Sequence, residues 1–326
     1  MAKTTKKKLT KKARKEALVT RPKAKRSLKN IRRTKPSPIL KPIVYAKLPN
    51  VITLTKTSWN ILWLNKKLFL GIGLIYGLLN LILVQGLASS SDISLLKSTV
   101  TNLFHGHIGS LFSSLGIFVI LLGSSGNGSS QTAGAYQLFL ALITSLSIIW
   151  ALRNLVNDKA IRLRDSYYQS MTPFIPFILV FIVIALELIP LLIGTIIYIV
   201  IISNSIAIGW LEQIITLIIF ILFAALSLYW LLGSVFAIYI VTLPNMTPIK
   251  ALKSANKLVK KRRLLILRKL LFLPLALFLV AAVIMIPIVL TISGIAQWVF
   301  FILTMFLLIV VHSYIYNLYR ELLNEA

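Results

Sequence analysis

Glu187 is the acid set deepest in an apolar run, the stretch 174–203. About 13 residues into a helical span, an ionisable side chain lies near the bilayer midplane, where it costs several kcal/mol unless it is paired or wetted. Pro190 and Gly194 follow it and could open the helix, as discontinuous helices do in transporters. The chemistry on offer is proton or cation coupling. The same residues also read as a packed carboxyl hydrogen-bonded to Asn80, to a Ser or Thr, or to a backbone carbonyl. His312 is the only other such candidate. It lies in the last apolar run, nearer the basic end, so its depth does not match that of Glu187.

The remaining candidates are weaker. His105 and His107 flank Gly106 in a polar stretch with Asp92 as the nearest acid. A metal site usually needs three or four ligands, so the pair alone falls short. The Gly-Ser tract at 123–130 lacks the Gly-Lys-Ser/Thr ending of a phosphate loop. With no cysteine, thiol catalysis, disulfides and Cys-based metal sites are excluded. No zinc-protease motif, serine elbow or carboxylate pair is present, so the expectation is a non-enzymatic protein without metal or cofactor.

The strongest charged motif is Lys250, Lys253, Lys257, Lys260, Lys261, Arg262 and Arg263. Thr247 suits a helix N-cap and Pro248 the first helical position. Ile249, Leu252, Ala255 and Val259 recur at helical spacing, which predicts a basic amphipathic helix over 247–270 lying on an anionic membrane surface. Each cation near such lipid contributes about 1 kcal/mol. Residues 1–50 are denser still in Lys and Arg, with Glu16 their only acid and five prolines. They read as a disordered polybasic arm. Its partners are anionic lipid, RNA including the ribosome, or an acidic protein. Tyr45 is its only aromatic, so it has no stacking platform for bases.

The elements that must position these groups follow from hydropathy. The 326 residues are 57% hydrophobic and only 13% charged, with a mean hydropathy of +0.86. Apolar runs of about 20 residues cross a hydrocarbon core as helix. Six are predicted, at about 68–88, 135–156, 174–203, 214–243, 271–291 and 298–319, in an all-α polytopic membrane domain over 51–326. Residues 51–67, with Trp59 and Trp63, predict a first interfacial helix. The run 111–123 is too short for a span and predicts a re-entrant or interfacial helix in an outer loop, 89–133. Charge supports that count. With six spans, Lys97 is the one cation among the 36 Lys and Arg that falls on the outer side. A seventh span would move both basic internal loops outward, against the positive-inside bias. Both termini are therefore expected in the cytoplasm.

Each span that starts on the basic side follows a basic, partly amphipathic stretch. Ser58, Asn60, Leu62, Lys66 and Lys67 align with Ser254, Asn256, Leu258, Arg262 and Arg263, while Arg164, Ser166 and Tyr168 give a looser third copy. Three units of interfacial helix plus helical hairpin would explain this. So would the placement of basic residues common to any positive-inside protein.

The stretch from Thr247 to Lys260, with Pro248, Ile249, Ala251, Leu252, Ser254, Leu258, Val259 and Lys260, resembles a helix of the polytopic membrane domain attached to some bacterial glycerophosphodiester phosphodiesterases. It is also similar to related stand-alone membrane families of unknown function. A looser likeness covers 151–176. The resemblance implies a bacterial cytoplasmic-membrane protein without the catalytic domain, whose barrel needs acidic metal ligands and histidines that eight acids and three His do not supply. Two functions follow as expectations. One is a membrane scaffold or accessory subunit, with a membrane-protein partner or a second copy of itself and a polybasic face on anionic lipid. The other is a small-solute permease component using Glu187 beside Pro190.

Overall fold

A computed structural model describes residues 49–84, 93–105, 110–125, 131–157, 159, 161–203, 209–260 and 262–324. The polybasic arm is outside the described residues, apart from its last two positions, as are His107 and Lys261. The described residues are helical, with no strand among them.

In chain order the helices are α1 (Val51–Leu64), α2 (Lys66–Leu83), α3 (Ile93–Phe104), α4 (Ser110–Gly123), α5 (Gln131–Val156), α6 (Leu163–Ser170), α7 (Phe174–Glu187), α8 (Ile189–Ser203), α9 (Trp210–Ser234), α10 (Ala237–Ile240), α11 (Pro248–Val259), α12 (Arg263–Thr291) and α13 (Ser293–Asn324). Six stretches are long and apolar enough to cross a membrane: Lys66–Leu83, Thr132–Val156, Phe174–Ile201, Trp210–Ile240, Arg263–Thr291 and Ser293–Asn324. The chain is a multi-pass membrane protein. Apolar side chains such as Leu74, Ile182, Leu222 and Val283 face outward along these helices, as lipid contact requires.

Two boundaries differ from the expectation. The basic helix stops at Val259, and Arg263 to Lys269 form the first turns of the spanning helix α12. Lys66 and Lys67 likewise open α2 rather than close α1. Lys66, Lys67 and Arg268 are exposed at the start of a span, where long basic side chains can reach headgroups, whereas Lys269 is buried and donates to the Pro49 carbonyl.

The short helix α4 does not count as a span. It pairs with α3, and together they pack Ile93, Leu96, Val100, Phe118 and Leu121 on Ala281, Met285, Val289, Ala296 and Phe300 of α12 and α13.

Packing order is cyclic. Leaving aside α3 and α4, the helices can be grouped in chain order as three units: α1 with the hairpin α2/α5, α6 with the hairpin α7–α8/α9–α10, and α11 with the hairpin α12/α13. Each short amphipathic helix packs on the last span of the unit before it. Thus α6 lies on α5, α11 on α9 and α10, and α1 closes the circle on α13. A serine anchors two of these seats. Ser58 is buried, and its Oγ accepts from Asn317 Nδ2 at 2.9 Å while its carbonyl accepts from Ser313 at 3.2 Å. Ser166 is buried, donates to the Ser147 carbonyl at 2.9 Å and shares a 2.8 Å bond with the Ser147 hydroxyl. The aligned third serine, Ser254, is half-buried on α11.

Candidate functional site

The three unit-closing spans α5, α9–α10 and α13 bring together polar groups that hydropathy conceals. Tyr239 is 1% exposed, and its hydroxyl lies 3.1 Å from His312 Nδ1. His312 Nε2 lies 2.8 Å from Ser145 Oγ, which donates to the Ala141 carbonyl at 2.6 Å. That last bond uses the serine proton, so Nε2 carries the hydrogen and donates to Ser145. In the neutral imidazole Nδ1 is then the acceptor, and the Tyr239 hydroxyl donates to it. The chain of bonds runs in one sense from Tyr239 through His312 and Ser145 to Ala141.

Arg153, at the end of α5, adjoins this chain. Its guanidinium donates to the carbonyls of Thr242 (2.7 Å) and Tyr239 (3.0 Å) and to Thr242 Oγ1 (2.6 Å). The Tyr239 carbonyl lies in the single turn α10 and the Thr242 carbonyl just past it, so the guanidinium closes the C-terminal end of that turn. Tyr239 stacks on Tyr319, which stacks on Phe236. Arg153 also lines a pocket of about 680 Å³ with Trp150, Gln169, Thr172, Pro173 and Asn245. Asn245 has φ 59 in the turn before α11, a left-handed conformation that asparagine tolerates. Nearby, Tyr167 on α6 donates to the Ile72 carbonyl at 3.2 Å, and burial pushes its hydroxyl up to about 12.

Glu187 lies apart from this network. It closes α7 where the span breaks at Leu188, two residues before Pro190. Proline lacks the N–H that would continue the ladder, which accounts for the break. Glu187 Oε1 accepts from Ser234 at 2.5 Å, and the Glu187 backbone carbonyl accepts from Ser227 at 2.8 Å. Oε2 has no hydrogen-bond partner among the described residues. The expected alternatives resolve toward serines of α9. Asn80 does not reach Glu187. It is fully buried on α2, where neither amide atom makes a hydrogen bond of good geometry to any described residue.

On α11 the expected cap is present, with Thr247 Oγ1 accepting from the Lys250 N–H at 3.4 Å and Pro248 in the first turn. The buried face differs from the expected one. Ala251, Ala255 and Val259 are fully buried against α7, α9 and α10, whereas Ile249 is 66% exposed. Small side chains let the helices approach. A Cβ on Gly233 would sit 3.4 Å from Asn256 Oδ1. Lys250, Lys253, Lys257 and Lys260 are exposed. At about 100° per residue they fall within an arc of about 80°, opposite the buried stripe. Arg263 is not part of that stripe. It stacks on Tyr229 at 3.8 Å and donates to Asn256 Oδ1 at 2.7 Å, tying the start of α12 to α9 and α11. Arg262 is half-buried in the connection between α11 and α12.

Among the described residues no group of three or more His, Asp or Glu could hold a metal ion. Ser145, Arg153 and Tyr239 were not legible as a site in the sequence. The only local hint was the polar run Thr144, Ser145 and Ser147 inside an apolar span. No protein-family model, curated protein or solved structure matches this chain.

Proposed function

We propose that the protein is a non-enzymatic membrane scaffold or accessory subunit whose basic face engages anionic lipid. The observation that carries this reading is α11. Its small-residue stripe is seated in the bundle, so Lys250, Lys253, Lys257 and Lys260 are held as a preformed row instead of being ordered on binding. The cost of arranging four flexible cations is thereby reduced, and with about 1 kcal/mol per cation the row favours an anionic surface. The test is reconstitution of the whole chain in nanodiscs of phosphatidylglycerol and phosphatidylcholine. Headgroup enrichment around the protein should fall when the four lysines become glutamine. Unchanged enrichment would reject the reading.

A second reading, a permease component, is favoured by the break at Leu188 beside a carboxyl with one oxygen unpartnered among the described residues. Proton-driven solute flux in liposomes that disappears in Glu187→Gln would support it over the scaffold. The scaffold reading predicts no flux in either protein.

A further inference from the structure

The outward flank of α1 carries three adjoining hollows. One, of about 550 Å³, lies between α1, α12 and α13 and is lined by Trp59, Leu62, Phe272, Ile284, Phe306 and Val310 among others. A second, of about 310 Å³, lies between α1, α2 and α13 and shares Trp59, Leu62, Phe306 and Val310 with the first. A third, of about 500 Å³, is amphipathic, with one lysine beside two tryptophan rings. It is formed by Lys56, Thr57, Trp59, Asn60 and Trp63.

The first hollow follows α12 from Phe272 to Ile284, about 18 Å at 1.5 Å per residue. One leaflet of hydrocarbon is about 15 Å deep, half of a core of about 30 Å. Its depth is therefore that of one acyl chain. The two apolar hollows fork around the ridge of Phe306 and Val310. That shape suits two thin chains better than a partner helix about 10 Å across.

At the open end stand Trp59, 56% exposed, and Trp63, 61% exposed, which are side chains of headgroup depth. Lys66 Nζ lies 5.1 Å from the Trp63 ring, and Lys56 projects from the same face of α1. No acid occurs between Glu16 and Asp92. No described carboxylate neutralises either lysine.

We infer that this flank of α1 binds one anionic diacyl phospholipid, with its chains in the two apolar hollows and its phosphate against Lys56 and Lys66. The site is distinct from the α11 lysine row, which meets headgroups only. Here the chains are gripped as well, so the lipid stays with the protein when bulk lipid is removed.

The test is native mass spectrometry of the whole chain, extracted in mild detergent from membranes of equal phosphatidylglycerol and phosphatidylcholine. One phosphatidylglycerol per chain is expected to remain. Val310→Trp, which fills the wall shared by both apolar hollows, should lower that occupancy at least tenfold. The variant Lys56→Gln/Lys66→Gln, altered only at exposed positions, should keep a bound lipid but lose its preference for phosphatidylglycerol. Glutamine at the four α11 lysines should leave the retained lipid in place. The inference is overturned by equal retention of both lipids in the native chain, by undiminished preference in the double-lysine variant, or by a second copy of the chain in place of lipid. Retention that follows the α11 lysines would overturn it too, while leaving the basic-face reading standing.

Discussion

Tyr239 and His312 meet with the tyrosine oxygen 3.1 Å from Nδ1, joining the span that closes the second unit to the span that closes the third. Ser145, on the span that closes the first, completes the link from the other ring nitrogen. A buried polar chain of this kind is stable only when each member is satisfied, and it penalises any helix register that breaks it. Its role in the fold is to specify how three apolar spans sit against one another, because lipid-like surfaces alone leave that choice open.

Removing one end of the chain should therefore cost more than a hydroxyl is worth at a surface. Tyr239→Phe leaves Nδ1 of His312 without its donor, and a loss of about 1–3 kcal/mol is expected. Ser145→Ala strips the partner of Nε2 and should cost a similar amount. The double variant should cost less than the sum, because both disrupt one network. Thermal unfolding of the detergent-solubilised chain measures this, and strict additivity would count against a shared chain.

Arg153→Lys should destabilise although charge is kept. The guanidinium reaches two carbonyls and a hydroxyl at once, and an ammonium cannot reproduce that fork. A loss of about 1–3 kcal/mol is expected, with the turn 241–246 opening first. Limited proteolysis in that turn, compared between native chain and variant, reads the effect.

Two glycines give a contrast. A Cβ on Gly194 would lie 2.8 Å from Phe223 Cβ, so Gly194→Ala should push α8 and α9 apart at a cost of about 1–3 kcal/mol. A Cβ on Gly77 would also come within 2.8 Å of a neighbour, but that neighbour is the flexible end of Met305. Gly77→Ala should cost less than Gly194→Ala, since the methionine can turn aside. Parallel thermal melts of the two variants decide the order.

Reporter fusions test the orientation. A reporter after residue 160 or 255 should give a cytoplasmic signal, and one after residue 125 an extracytoplasmic signal. That pattern follows from the basic loops and from treating α4 as part of an outer hairpin. An extracytoplasmic signal at residue 160 or 255 would contradict it.

Much of the scaffold was legible in one dimension. Continuous apolar runs specify helices long enough to span, Pro190 marks a break that falls at Leu188, and Thr247-Pro248 marks the start of α11. The spacing of Ser58, Ser166 and Ser254 hinted at repeated seats, two of which carry buried serine bonds. The buried face of α11 was only partly legible. Alanines carry little hydrophobic signal, so Ile249 looked like an inward residue and Ala251 did not.

Local rules decided by the sequence alone are therefore the all-helical class, the spans, the caps and breaks, and the clustering of charge. These depend on hydropathy, on the missing N–H of proline and on residues a turn or two apart. Tertiary structure alone decided the cyclic seating of the short helices, the pairing of Glu187 with Ser234, and the meeting of Tyr239, His312 and Ser145. Ser145 and His312 are 167 residues apart. No local periodicity encodes such a distance; it is set by which packed arrangement buries the polar groups with their partners.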